Sequence, residues 1–226
     1  MSTIQWKSYS FLHQEVFSLK TVLMINASDR LEQGVSVKMY NQFLKTYKLE
    51  HPEDTVMELN LFKEELPYYG NDAITAQYKK ARGMELDTNE KTLVETIEGY
   101  QEQFMKADKV VFSFPLWNFT VPAPMITYLS YLAQAGKTFR YTETGPVGLV
   151  GDKTMALLTA RGGLYSEGTP MESAEMAMKL VRQTVSLWGI INPTELVIEG
   201  HNAAPDQSET IIETGLGQVR EAAAQF

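Results

Sequence analysis

The sequence predicts an α/β domain: an open parallel sheet of five strands with helices on both faces. Two observations predict it. Short apolar runs of strand length recur five times, and stretches with apolar residues at helical spacing lie between them. Strands alternating with helices in this way form parallel sheets covered on both sides. A third observation, the lack of any repeat, low-complexity tract or linker-like stretch, points to one domain in 226 residues.

Taken in order, Thr21-Val22-Leu23-Met24-Ile25-Asn26 is a near-continuous apolar run, expected of a strand buried on both faces. Val35, Met39, Phe43 and Tyr47 then follow at helical spacing. Thr55-Val56-Met57-Glu58-Leu59 is the second strand. Leu93, Ile97, Tyr100 and Phe104 mark a helix leading to the strand Lys109-Val110-Val111-Phe112-Ser113. Met125, Leu129, Leu132 and Ala133 mark the next helix, and Met155-Ala156-Leu157-Leu158-Thr159 the fourth strand. Ala174, Met178, Val181, Val185 and Trp188 lie on one helical stripe. Glu195-Leu196-Val197-Ile198-Glu199 is the fifth strand, and Ile212, Leu216, Val219 and Ala223 make a closing helix. Crossovers should be right-handed. Five strands suit the spatial order 2-1-3-4-5, which the pattern alone does not fix. Residues 61–90, with Pro67-Tyr68-Tyr69-Gly70 and a short helical pattern, and residues 137–151 are longer connections than the scheme needs. Such segments often carry function or subunit contacts.

Composition narrows the function. The apolar fraction of 44% supports a full core, and 21% charged residues is a globular value. The formal charge of −8, with no Lys/Arg block, argues against nucleic acid or an anionic membrane as partner. No cysteine occurs, which excludes disulfides, thiolate metal sites and thiol redox chemistry and fits a reducing cytoplasm. His13, His51 and His201 are far apart without HExxH spacing, so no metal site is expected. No apolar run reaches membrane-spanning length, and no secretory signal is expected at the N-terminus.

Loops after strands one, three and four must converge if those strands are neighbours, and ligands of open α/β sheets bind there. The first loop, Asn26-Ala27-Ser28-Asp29-Arg30 to Gly34-Val35-Ser36, opens a helix whose free N–H groups suit an anion such as a phosphate. Ser36 could equally be a plain helix cap. Asp29 must turn away from such an anion or pair with Arg30. The second, Phe114-Pro115-Leu116-Trp117-Asn118-Phe119-Thr120-Val121-Pro122, offers an amide and two aromatic rings to a flat ligand, and ends at prolines that can open a helix. A hydrophobic cover for the sheet end is the alternative. The third, Thr159-Ala160-Arg161-Gly162-Gly163-Leu164-Tyr165, has two glycines that permit close backbone approach. Its Arg161 could neutralise charge on a reduced flavin, or be an exposed arginine in an ordinary turn. No GxGxxG after a strand, GxxxxGK[ST] or GxSxG occurs, so Rossmann, P-loop and hydrolase readings lack support.

Together these loops resemble the FMN-dependent NADH:quinone oxidoreductases, also called FMN-dependent NADH-azoreductases. The resemblance rests on the Pro-x-x-Asn-Phe loop at Pro115–Phe119, the Pro122-Ala123 helix start, Ala135-Gly136, Phe139, Tyr141, Gly145-Pro146-Val147-Gly148, Arg161-Gly162-Gly163 and Glu199-Gly200-His201-Asn202-Ala203. It runs from about Thr21 to the C-terminus. It implies a flavodoxin-like fold over residues 21–226, tightly but non-covalently bound FMN, and a homodimer with two flavin sites at its interface. It further implies that NADH reduces the flavin, which then reduces quinones by two electrons and cleaves aromatic azo bonds to amines in ping-pong fashion. Position by position, Ser28, Gly34, Val35 and Ser36 match the phosphate loop. Leu116, Trp117, Asn118 and Phe119 match the isoalloxazine loop, and Ala160, Arg161, Gly162 and Gly163 the pyrimidine end. Many members carry serine where this chain has Gly34. Residues 1–20 form an extension before the first strand; its Trp6, Tyr9, Leu12, Val16 and Phe17 suit an arm packed on a dimer, but terminal segments are often loosely held and an incidental extension is the preferred reading.

On this reading the cofactor performs the chemistry, no side chain acts as nucleophile, and no nucleic acid or membrane takes part. Tyr69, Tyr128, Phe139 and Tyr165 are candidate walls of a substrate pocket. Rival readings are a flavodoxin-type electron carrier, a flavin-binding regulatory module without catalysis, and a reductase that releases its flavin as product. The basic patch that an NADPH site would need is not evident.

Overall fold

A computed structural model describes residues 19–226; Trp6, Tyr9, Leu12, Val16 and Phe17 of the extension lie outside the described residues. The elements follow the order read from the sequence. The main sheet contains β1 (Thr21–Asn26), β2 (Thr55–Asn60), β3 (Lys109–Pro115), β6 (Thr154–Arg161) and β7 (Thr194–Glu199). All pairs are parallel, in the order β2-β1-β3-β6-β7, which is the expected 2-1-3-4-5.

The continuous apolar runs have a simple cause. Alternate residues serve two cores, one on each face. Leu23, Ile25, Val110, Phe112, Phe114 and Leu157 join a cluster with α3 (Thr88–Lys106), α4 (Ala123–Leu132) and α5 (Ala177–Leu187). Val22, Met24, Val111, Ala156 and Leu158 join the opposite cluster with α1 (Val35–Glu50) and α6 (Ser208–Gln225). Trp188, fully buried, meets Phe104 edge to face at 5.3 Å and anchors the first cluster at its base.

Two details differ from the sequence reading, and the short helical pattern read in residues 61–90 is present as a helix. β3 runs through Phe114 and Pro115, which pair with Thr159 and Ala160, so the ligand-facing loop begins at Leu116. The 137–151 connection forms an antiparallel hairpin, β4 (Phe139–Thr142) with β5 (Gly145–Gly148). A Cβ on Gly148 would lie 2.1 Å from the Gly189 nitrogen, so only glycine lets this hairpin seat against the end of α5. The 61–90 connection contains α2 (Asn71–Ala81), packed on α3, before the Asp87 capping box that starts α3.

Candidate functional site

The carboxyl ends of β1, β3 and β6 open on one cleft of about 430 Å³. Its lining includes Gly34, Val35 and Ser36 from the first loop, Leu116 and Trp117 from the second, and Ala160 and Gly162 from the third. Hydrogen bonds tie these loops together. Leu116 N–H donates to the Ala160 carbonyl at 3.0 Å, Ala27 N–H to the Ser113 carbonyl at 2.8 Å, and Ser113 Oγ to the Ser36 carbonyl at 2.8 Å.

At one end of the cleft stands the start of α1. Its N-cap is Gly34, so Ser36 does not cap the helix; no side chain does, and the first turn carries no acidic residue. The first N–H groups of a helix have no partner within it. Val35 and Ser36 of this first turn line the cleft, as does Arg30, which forms no ion pair among the described residues. That is a donor set for an anion. Asp29 lies on an adjoining depression and not on this cleft. A serine has no room at Gly34: a Cβ would come within 2.8 Å of Arg30 Cβ and 2.9 Å of its carbonyl oxygen.

At the other end Gly162 packs under the loop that follows β7. The Gly162 carbonyl accepts from Asn202 N–H at 3.0 Å and Ala203 N–H at 3.1 Å. A Cβ on Gly162 would stand 2.3 Å from Asn202 Nδ2. Asn202 and His201 both line the cleft, as do Gln33, Ser208 and Ile212, and none was singled out from the sequence as a site residue. The available signal was Gly200, which ends β7 at φ 81° as a glycine turning a chain into a loop does. His201 Nδ1 is buried without a partner, and burial lowers the imidazole pKa.

The remaining residues singled out from the sequence sit elsewhere. Ser28 is buried in the β1–α1 turn, where its Oγ accepts from Arg30 N–H at 3.3 Å, and it borders the adjoining depression. Asn118 and Phe119 are the central residues of a tight turn with φ 47° and 70°. Trp117 and Thr120 exchange both backbone hydrogen bonds across it, at 2.9 and 3.1 Å. Both central residues at positive φ make this a type I′ turn, where asparagine is favoured and a bulky ring is not. Phe119 is nevertheless held there, its carbonyl accepting from Met176 N–H at 2.9 Å. Gly163 does not line the cleft; it packs beneath Tyr165.

Arg161 is not an exposed turn residue. It is buried, with Nε 3.1 Å from Glu199 Oε2 and a terminal nitrogen 4.0 Å from Glu175. A guanidinium inside a sheet end needs such carboxylates nearby, although its Nε makes no hydrogen bond. The proposed pocket walls also move: Tyr128 is fully buried, Phe139 belongs to the same core, and Tyr69 packs edge to face on Tyr131. The aromatic wall beside the cleft is Trp117 with Phe62, their rings 5.9 Å apart.

The model of the flavodoxin-like fold matches residues 20–223. An FMN-dependent NADH:quinone oxidoreductase of Shouchella clausii is 72% identical over 208 residues, covering 92% of this chain and 100% of the relative. The chain belongs to the FMN-dependent NADH:quinone oxidoreductase family. The family's enzyme 1 from Bacillus subtilis is 52% identical over the same share of each chain. Among solved structures, an azoreductase from Bacillus anthracis superposes with a TM-score of 0.89 at 51% identity, covering 92% of this chain and 100% of that one. An FMN-dependent NADH-azoreductase from Bacillus anthracis, solved in complex with FMN, superposes with a TM-score of 0.86 at 27% identity, covering 92% and 99%.

Proposed function

We propose that this chain is an FMN-dependent NADH:quinone oxidoreductase that also reduces aromatic azo compounds to amines. One observation carries the reading. Three loops distant in the sequence line a single cleft that offers helix N–H donors and Arg30 at one end and a glycine-based floor at the other. This donor set suits the phosphate of FMN, and the strip from Leu116 and Trp117 to Gly162 suits a flat ring system.

In this assignment Val35 and Ser36 hold the phosphate through backbone N–H groups, aided by Arg30, while Gly34, whose own N–H donates to the Leu31 carbonyl at 3.0 Å, lets the backbone come close. Leu116, Trp117 and Ala160 support the ring, with Asn118 and Phe119 shaping the rim as a turn. Gly162 and Asn202 set the depth of the far end, and Ser28, Arg161 and Gly163 brace the loops. Bound FMN supplies the exchange of electrons between NADH and the acceptor. The protein's part is to orient the ring and to exclude water from one face with Trp117 and Leu116. Because donor and acceptor share the exposed ring face, ping-pong kinetics follow.

A homodimer completes the proposal. Phe119, Ile126, Met176 and Leu180 are apolar yet exposed at the edge formed by the second loop, α4 and the start of α5. Such side chains beside a cleft suit an interface that closes it. A cysteine-free chain with no helix, among the described residues, long and apolar enough to cross a membrane is in keeping with the cytoplasmic location we assign.

The test is a visible spectrum after gel filtration, then anaerobic addition of NADH and of menadione or an azo dye. The expected result is a retained yellow cofactor, bleached by NADH and recoloured by either acceptor. A colourless protein, or a flavin that NADH leaves oxidised, would contradict the proposal and favour a carrier or regulatory role.

A further inference from the structure

A second depression, of about 590 Å³, lies on the other side of Arg30, outside the carboxyl ends of β1 and β2. Arg30 borders both spaces, and the Phe62–Trp117 ring pair forms the wall between them. Both volumes fall in the roughly 300–1,000 Å³ range of small-molecule sites. The nicotinamide donor is a dinucleotide. Only its reactive ring needs to stand beside Leu116 and Trp117, so its adenosine half must find support outside the first cleft.

The lining of the second depression has the matching chemistry. Phe62 and the exposed Leu31 present apolar faces to a flat base. Asn26 is 7% exposed, its Nδ2 donates to the Ser28 carbonyl at 3.2 Å, and its Oδ1 has no partner. An unpaired buried acceptor is costly, so a ligand donor there would be favoured. Lys63 makes no ion pair among the described residues and provides a cation for a pyrophosphate. Of the carboxylates, Glu58 is paired with Lys48 at 2.6 Å and Glu64 accepts from the Tyr100 hydroxyl at 3.3 Å, whereas Asp29 and Glu32 are free among the described residues. Free carboxylates accept hydrogen bonds from ribose hydroxyls and repel a 2′-phosphate.

We infer that this depression binds the adenosine-phosphate half of the nicotinamide donor, and that Asp29 and Glu32 make it select NADH over NADPH. The inference rests on the function proposed above, and its tests separate the two. ADP-ribose, added to the FMN-loaded protein and followed by calorimetry, reads the depression without catalysis. Kinetics with NADH and with reduced nicotinamide mononucleotide, which lacks the adenosine half, read its contribution to turnover.

ADP-ribose should bind the wild-type protein. Asn41→Trp, which fills the depression from α1, and Lys63→Glu, which reverses a cation, should abolish that binding. Each should raise KM for NADH about tenfold, the loss of one charge-assisted contact, and leave KM for reduced nicotinamide mononucleotide unchanged. Asp29→Asn with Glu32→Gln should narrow the NADH/NADPH preference by about tenfold. The inference is overturned if ADP-ribose does not bind, if both donors are affected equally, or if the double variant keeps full discrimination. Protein that binds ADP-ribose but oxidises neither donor would support the depression and contradict the catalytic reading.

Discussion

Arg161 shows why a residue's role depends on what surrounds it. The Arg-Gly-Gly segment was legible as a loop beside a ligand, but the sequence could not show that Glu175 and Glu199 reach Arg161 from two other elements. Removing one member of a buried ion pair typically costs about 3–5 kcal/mol. Arg161→Ala should therefore lower unfolding free energy by about that amount in a urea titration. A variant as stable as the wild type would contradict this bracing role. Gly162 is the complementary case. Its glycine character was legible, but its reason, an amide nitrogen of Asn202 where a Cβ would stand, is a tertiary fact. Asn118 was read as a ligand-facing amide; its exposed place in a turn with positive φ is explained by backbone preference.

At the scale of elements, the five main strands were legible because strands buried on both faces give unbroken apolar runs. The β4–β5 hairpin was not, because Arg140, Tyr141, Pro146 and Val147 are exposed and carry no core pattern. The α1 N-terminus makes a prediction of its own. If its N–H groups grip a phosphate, riboflavin should bind at least about 100-fold more weakly than FMN, the equivalent of one or two charge-assisted hydrogen bonds. Equal affinities by fluorescence quenching would remove α1 from the site. A second prediction belongs to the opposite end of the sheet, where Asp54 precedes β2. Burial alone raises its carboxyl pKa. The Tyr47 hydroxyl, the Lys20 N–H, Lys109 and His51 outweigh that, and the net shift is downward. A carboxylate depressed in the fold contributes stability above its unfolded value, near 4, and that stability is lost as pH falls through the folded value. Between pH 5 and 3 the wild type should lose more unfolding free energy than Asp54→Asn, and parallel profiles would show that the pair contributes nothing.

For the whole molecule, alternation of elements gave a parallel sheet but did not fix the strand order; the order 2-1-3-4-5, which suits five such strands and which the resemblance implied, is the one observed, and it decides which loops meet. Alternation could not reveal the fourth contributor, His201 and Asn202, because β7 is an edge strand and only the folding of its exit loop over Gly162 brings it to the cleft. The exposed Phe119, Ile126 and Met176 argue that one chain is not the working unit. Sedimentation should give a dimer for the wild type, and Ile126→Glu with Met176→Glu should shift it to monomer; a monomeric wild type would contradict the interface. The proposed function depends on separate loops gripping one cofactor. The direct measurement is the FMN dissociation constant of three variants, one per loop: Gly34→Val, Leu116→Asp and Gly162→Val, each checked for native secondary structure. A weakening of about tenfold or more in all three, as expected from lost packing or a buried charge, supports a single cradle. Undiminished affinity in any folded member would show that its loop does not hold the flavin.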